Sequence, residues 1–174
     1  IGVTGVQTCA LPISEASIGN ASATSSVTTV GIDGVSSGDG TERQFFLKYD
    51  SIFGSTAGLI PAGATILDAQ LTLRTTGNSN SQSGGSFVIG GMKVPFSAAT
   101  TLNDLGTGNG AIMTNGPTYA NGLATLPVAG YRAPAQNAFY SAFVAPLVQQ
   151  WADGTLANNG MVVQAHTTDA WQVF

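Results

Sequence analysis

Residues 43–73 constrain the fold more than any other part of this sequence. Residues 44–50 (QFFLKYD) are rich in aromatic and aliphatic side chains, which is typical of a β-strand. Residues 51–63 form a Gly- and Pro-containing loop that also holds apolar side chains, so we expect the loop to pack against the core. Apolar and polar residues then alternate over 67–73, with Ile66 out of phase. This period of two predicts a strand with one buried face and one solvated face.

Further short runs of β-prone residues, bounded by Gly, Pro, Asn or Asp, occur along the chain and predict additional strands. They are residues 26–32, 86–94, 122–128, 138–144, 160–164 and the start of one more at 171–174. Two Asp-Gly pairs between residues 33 and 42 predict a turn that pairs strand 26–32 with strand 44–50. Gly90 and Gly91 predict a bulge or a close backbone contact.

One short helix is predicted near 146–152. Val144, Leu147, Val148 and Trp151 fall on one helical stripe, and Pro146 fits the first helical position because its missing N–H costs nothing there. We therefore assign Trp151 to the core. Seven or eight strands with a single helix predict an all-β fold, an antiparallel two-sheet β-sandwich. Composition leaves jelly-roll and immunoglobulin-like versions equally open.

Several passages resemble the DNRLRE-type extracellular domain, which is related to family-96-type carbohydrate-binding modules. They are FFLKYD at 45–50, IPAGATI at 60–66, AQLTL at 69–73 and PLVQQWADGTLANNG at 146–160. The resemblance implies a jelly-roll sandwich that binds carbohydrate. Family members tend to have aromatic W-S and T-W-N motifs where this chain has Phe96 and Leu102, and that departure weakens the argument for sugar stacking at those two positions.

The first residues have a different origin. Residues 3–14 (VTGVQTCALPIS) can be back-translated to a common short-read sequencing adapter, so we interpret 1–14 as an assembly artefact of a metagenomic contig. Cys9 then carries no redox information. We expect residues 15–25 to be a linker and residues 26–174 to be a single sandwich domain that lacks its closing C-terminal strand.

Composition narrows the function. Charged residues make up only 8% of the chain and hydrophobic residues 43%, so the surface is polar but neutral, as in secreted bacterial β-proteins. Five basic residues and a net charge of −4 argue against nucleic-acid binding and against an anionic membrane surface. No apolar run is long enough for a membrane span. We expect an extracellular or cell-surface location.

Catalytic machinery is not evident in the sequence. The one histidine, His166, lies in a turn, and there is no GxSxG elbow. Most of the nine acidic residues lie beside Gly or Asn, where turn formation or capping explains them. We predict that the chain is not an enzyme, although two acids could still meet in space.

Calcium is the one cofactor that the sequence suggests. Asp33, Asp39 and Glu42 crowd one short loop, and Asp50 ends the next strand. Loop carboxylates of this kind bind calcium in many proteins. The spacing is not that of an EF-hand, and the alternative interpretation, that the same residues are turn formers, is favoured over calcium.

Sugar binding requires exposed aromatic rings with polar partners. The candidates are Tyr131, Arg132, Tyr140, Trp171 and Asp169. Tyr131 and Arg132 lie in a predicted loop between Gly130 and Pro134, a suitable place for an exposed platform. Each tyrosine can equally be a half-buried core residue with its hydroxyl outside.

Together these observations favour a non-catalytic, carbohydrate-binding module of a larger secreted or surface protein. Its partners would be a polysaccharide and other domains of the same parent chain, without nucleic acid or membrane insertion. The alternative is a structural spacer or adhesion domain with no ligand of its own. The two hypotheses differ in whether the chain retains any polysaccharide.

Overall fold

The computed structural model describes residues 13–19, 23–24, 29–32, 43–79, 86–97, 99–100, 124–132, 135–165 and 171–173. Ten strands and one α-helix lie within these described residues. In chain order they are β1 (Ile13–Gly19), β2 (Ala23–Thr24), β3 (Val30–Ile32), β4 (Arg43–Tyr49), β5 (Gln70–Arg74), β6 (Ser86–Met92), β7 (Ala124–Arg132), β8 (Phe139–Phe143), α1 (Ala145–Ala152), β9 (Met161–Ala165) and β10 (Trp171–Val173).

The strands form antiparallel sheets, so the predicted all-β class with one short helix is confirmed. Six strands form the largest sheet, in the order β2-β1-β4-β9-β6-β7. Two further antiparallel pairs are β5-β8 and β10-β3. An isolated bridge between Thr75 and Val173 connects the end of β5 to β10.

β4 lies inside the six-stranded sheet and is buried on both of its faces. Phe45 and Leu47 belong to the main core cluster, while Gln44 and Phe46 alternate with them and are fully buried. The ring of Phe46 packs against that of Phe96, with centroids 5.4 Å apart. Because β4 is covered on both faces, its sequence has consecutive apolar residues and no clean alternation of apolar and polar residues.

Among the described residues, one cluster of buried side chains connects the sheets. It draws residues from β4, β5, β6, β8, β9, β10 and α1. Its members are Phe45, Leu47, Leu71, Leu73, Ile89, Ala142, Val144, Leu147, Val148, Trp151, Met161, Val163 and Val173. Leu71 and Leu73 are buried while their neighbours in β5 are exposed, which confirms the alternation predicted there.

The predicted helix is present with the expected ends. Proline occupies its first turn, and Leu147, Val148 and Trp151 are buried on one stripe. Trp151 is only 6% exposed, so its assignment to the core is confirmed. The helix ends at Ala152 with Asp153 as its C-cap, and Gly154 follows with φ +70°, a left-handed conformation that favours glycine.

Gln149 joins the helix to the loop before β5. Its Oε1 accepts a hydrogen bond from the backbone N–H of Ile66 at 2.7 Å. Its Nε2 donates to the carbonyl of Ala64 at 3.0 Å and to Asp153 Oδ1 at 2.8 Å. The backbone N–H of Gly63 also donates to the carbonyl of Ala152 at 2.7 Å. These contacts, the Gln149 bridge, hold two distant segments of the sequence together.

The Gln149 bridge changes where β5 begins. We predicted that Leu67 would be buried and that Ile66 would be out of phase with the strand. Instead Leu67 is 66% exposed, whereas Ile66 is half-buried and packs against the core. The strand starts only at Gln70, because the backbone at Ile66 is hydrogen-bonded to the helix and not to a neighbouring strand.

The N-terminal strand pairs also differ from the predictions. Residues 15–25, predicted as a linker, contribute to β1 and β2, and β1 pairs with β4 along its whole length. The predicted pairing of strand 26–32 with β4 is wrong, because β3 pairs with β10. β4 pairs instead with β1 on one side and with β9 on the other.

β6 has the irregular pairing that Gly90 and Gly91 suggested. The register between β6 and β7 shifts twice, and the extra residues lie on β7. A Cβ at Gly91 would collide with the side chains of Leu147 and Leu156, so the predicted close contact is confirmed. β7 is longer than the predicted strand 122–128, and it tolerates Pro127 because it is the edge strand of its sheet.

Candidate functional site

The β5-β8 pair presents a two-stranded face to solvent. Alternate residues of both strands are exposed, and the antiparallel register places them opposite one another. We call this surface the outer face. Its six side chains are Gln70, Thr72, Arg74, Phe139, Ser141 and Phe143.

Two phenylalanine rings dominate the outer face. Phe139 is 71% exposed and Phe143 is 45% exposed. They lie four residues apart on one strand, which corresponds to roughly 13–14 Å at about 3.4 Å per residue. Leaving a phenylalanine in water forgoes about 2 kcal/mol of burial. Two such rings on one face are therefore a reason to look for a binding partner.

Two hydroxyl groups separate the two rings, and an amide group faces one of them. Thr72 Oγ1 and Ser141 Oγ are hydrogen-bonded across the strands at 2.7 Å. Gln70 lies opposite Phe143 in the register. The outer face thus alternates aromatic rings with groups that can both donate and accept hydrogen bonds.

Arg74 lies over the first ring. Its Cζ is 5.7 Å from the centroid of Phe139, within the range of a cation–π contact. The guanidinium covers part of the ring, yet Phe139 still has the largest exposed fraction of the exposed large hydrophobic side chains in the described residues. The contact restrains the ring on the sheet and places nitrogen donors beside it.

Amide side chains surround the same end of the strand pair. Gln136 Nε2 donates to the carbonyl of Asn78 at 2.8 Å, and Asn78 Nδ2 donates to Gln172 Oε1 at 3.1 Å. Thr76 Oγ1 donates to the same oxygen at 3.0 Å. Asn137 adopts a left-handed φ of +54° in the turn that leads into β8. We call Asn78, Gln136 and Gln172 the amide cluster.

Of the residues predicted to bind sugar, Tyr140 is the one whose side chain the structure describes. It lies on β8 between the two exposed phenylalanines, but it points to the opposite side and packs against the core cluster. Its hydroxyl oxygen is buried, which differs from the expectation that a half-buried tyrosine would keep its hydroxyl outside. Tyr140 supports the outer face from beneath.

The other predicted sugar ligands are placed only in part. Tyr131 and Arg132 lie in β7 and not in a loop, because their backbones pair with β6. Trp171 begins β10, and its backbone pairs with β3. The side chains of these three residues, and the whole of Asp169, lie outside the described residues.

The calcium hypothesis concerns a loop that is mostly outside the described residues. Asp33, Asp39 and Glu42 belong there. Asp50 is described, and its Oδ1 forms an ion pair with Lys48 Nζ at 2.8 Å. Among the described residues, no group of three or more His, Cys, Asp or Glu side chains is placed to hold a metal ion. Calcium binding stays a prediction, and a shift of the thermal midpoint on adding EDTA would support it.

The sequence interpretation missed both phenylalanines of the outer face. In AFYSAFV, Phe139 and Phe143 share one strand face with Ser141, while Tyr140 and Ala142 share the other. From the size and apolar character of their side chains alone, both phenylalanines would be assigned to the core. Only the pairing with β5, where Leu71 and Leu73 are buried opposite Ala142 and Tyr140, reverses that assignment.

No protein-family model matches the chain, and no curated protein matches it either. In the described part of the chain, no helix is long and apolar enough to cross a membrane.

Proposed function

We propose that this chain is a non-catalytic, extracellular carbohydrate-binding module of a larger secreted or surface protein. The outer face is the observation that carries the proposal. It combines exposed aromatic rings, which can stack on the apolar faces of sugar rings, with hydroxyl and amide groups that can bond to sugar hydroxyls.

The resemblance to DNRLRE-type domains supports the proposal. IPAGATI and PLVQQWADG are far apart in the sequence, yet the Gln149 bridge brings them into direct contact. The two separated passages that carry the resemblance are thus joined by one set of hydrogen bonds. We take membership of that family as part of the proposal.

We further propose that the fold is a two-sheet β-sandwich of the jelly-roll type. Support comes from the shared core. The six-stranded sheet contributes to it through β4, β6 and β9, and the facing side contributes through β5, β8 and β10. The Thr75–Val173 bridge is consistent with a second sheet in the order β3-β10-β5-β8.

The alternative function is a structural spacer or adhesion domain without a ligand. One observation favours it. Phe96, which stands where the family tends to have an aromatic W-S motif, is half-buried against Phe46 and cannot serve as an exposed platform. Any sugar-binding aromatic must therefore be supplied from another surface, such as the outer face.

Affinity electrophoresis separates the two functions. The chain is run through gels containing alginate, pectin, chitin derivatives or soluble cellulose derivatives, and we expect retardation in at least one. Retardation in none would support the spacer.

Phe139 variants then test which surface binds. Phe139→Ala should reduce retardation, Phe139→Leu should reduce it similarly because an aliphatic group cannot stack as a ring does, and Phe139→Trp should preserve it. Equal retardation of all three variants would move the site away from the outer face.

A further inference from the structure

The shape of the outer face indicates what kind of ligand it suits. Five residue pairs give it a length of roughly 17 Å at about 3.4 Å per residue, and its two phenylalanines lie at opposite ends of β8. A stable protein–protein interface buries about 800 Å² on each partner around a contiguous apolar centre. The outer face has no such contiguous centre, because the Thr72–Ser141 pair divides its apolar surface. A linear polymer that contacts two separated rings fits this face better than a globular partner does.

The separation of the rings determines the minimum length of the ligand. Phe139 and Phe143 lie roughly 13–14 Å apart along β8, which is longer than one sugar ring. A monosaccharide can therefore stack on one phenylalanine only. A ligand that uses both rings must be an oligosaccharide whose chain runs along the strand.

Charge indicates a neutral glycan. A polyuronate carries a carboxylate on every sugar and would need several cations along its path. The outer face has one cation, Arg74, which lies over the Phe139 ring, and the chain has only five Lys and Arg residues with a net charge of −4. Neutral sugars need no such compensation, since their hydroxyls can bond to Gln70, Thr72 and Ser141.

The two ends of the outer face are not equivalent. Phe139 is the more exposed ring, and Arg74 and the amide cluster lie at its end. Phe143 has less exposed surface and faces Gln70. The Phe139 end therefore offers more contacts to a bound sugar.

We infer that the outer face binds an extended, uncharged polysaccharide that lies along β8, with Phe139 as the principal stacking ring and Phe143 as a second ring several sugars away. The inference rests on the proposed carbohydrate-binding function and specifies its ligand class and binding direction. Phe139 should contribute more to affinity than Phe143, and affinity should grow with the number of sugars until both rings are covered.

The first experiment compares neutral and acidic polymers with the full chain. Gels contain hydroxyethyl cellulose, xylan, galactomannan or β-1,3-glucan as neutral ligands, and alginate or polygalacturonate as acidic ones. We expect retardation in at least one neutral gel, and loss of that retardation in the double variant Phe139→Ala/Phe143→Ala. Both positions are exposed, so the variant should keep its thermal midpoint, which is measured on the same sample.

The second experiment measures length dependence by calorimetry, using oligosaccharides of two to six sugars from the neutral polymer that retards the chain. We expect the association constant to rise with length and then level off. Phe139→Ala should lower it at every length by about fivefold or more, whereas Phe143→Ala should remove the gain on lengthening the ligand.

The outcomes separate the inference from the proposed function. Retardation only by acidic polymers, or retardation that the double variant leaves unchanged, would overturn the inference while carbohydrate binding stands. An association constant independent of length would also overturn it. Retardation by no polymer would overturn the proposed function itself.

Discussion

Two regions of the molecule use their side chains in opposite ways. In the motif region, residues 43–69 and 145–160, polar side chains are directed inward and bond to backbone groups, as Gln149 does with Ile66 and as Asn158 does with the carbonyl of Tyr49 at 3.0 Å. On the outer face the side chains point to solvent, and the two phenylalanines stay exposed. The first region is constrained by the fold, whereas the fold leaves the second largely free.

This difference explains why sequence motifs and function need not coincide. In the motif region Gln149 and Asn158 bond to backbone groups of distant segments, so their identity affects the fold. On the outer face the side chains contact one another and solvent, so their identity affects the fold less. The passages that carry the family resemblance therefore report mainly on the scaffold, and only AQLTL at 69–73 reaches the outer face, through Gln70 and Thr72.

The largest expected effect concerns Gly160. Its φ is +95°, and a Cβ there would lie 2.5 Å from the carbonyl oxygen of Leu47, which is backbone and cannot move aside. Gly160→Ala should lower the free energy of unfolding by about 3 kcal/mol or more. The matched control is Gly63→Ala, where φ is +73° but no atom lies within 4 Å, so only the backbone strain of about 1–2 kcal/mol applies. Urea denaturation measures both, and equal losses would contradict the crowding at Gly160.

The Gln149 bridge gives the second prediction. Gln149→Ala leaves the N–H of Ile66 and the carbonyl of Ala64 without their side-chain partner in a half-buried setting. We expect a loss of about 2 kcal/mol in the free energy of unfolding. The control is Gln150→Ala on the same helix, because Thr155 and Leu156 bond to its backbone carbonyl, which the substitution keeps. A loss below about 1 kcal/mol is expected for the control. Equal losses would show that the bridge is not what stabilises the loop.

A smaller effect is expected at the end of β4. Lys48 and Asp50 form an ion pair at 2.8 Å, with side chains 30% and 39% exposed. Asp50→Asn should cost about 0.5 kcal/mol at low salt, because solvent screens an exposed pair. The difference from the unsubstituted chain should disappear at about 1 M salt, where the Debye length is about 3 Å. A cost that persists at high salt would mean that Asp50 stabilises the fold by another route.

The smallest effect on stability is expected on the outer face. Phe139→Ala should change the free energy of unfolding by less than about 0.5 kcal/mol, since the ring is 71% exposed. Leu71→Ala, one strand away on the buried face, should cost about 2–5 kcal/mol and is the matched contrast. If the two variants lost similar stability, the distinction between the exposed and buried faces of the β5-β8 pair would be wrong.

The sequence predicted the elements whose pattern is local. The alternation at Leu71 and Leu73 and the stripe of α1 depend on neighbours within one turn or one strand, so both were found. Leu67 and Ile66 were misassigned because the deciding contact comes from Gln149, 83 residues away. Propensity cannot reveal a partner at that distance.

The candidate site could not be predicted from the sequence for a related reason. Phe139 and Phe143 are recognisable as surface residues only when the register with β5 is known, because β8 buries the small Ala142 and exposes the larger rings. Tyr131 and Arg132 were expected in a loop because Gly130 and Pro134 flank them, yet β7 continues through Gly130 as an edge strand. Edge strands tolerate such residues, so composition alone misplaces their ends.

The burial of Trp151 determines how this protein can be observed. Its indole is 6% exposed beside α1, so its emission should be that of an apolar environment and should shift to longer wavelength when the chain unfolds. The outer face has phenylalanine rings, and the tyrosine of β8 lies on the other side of the sheet. Trp151, a member of the core cluster, is thus an optical reporter of folding. The fluorescence of Trp151 can therefore follow unfolding, and heat or mobility measurements can follow binding at the outer face.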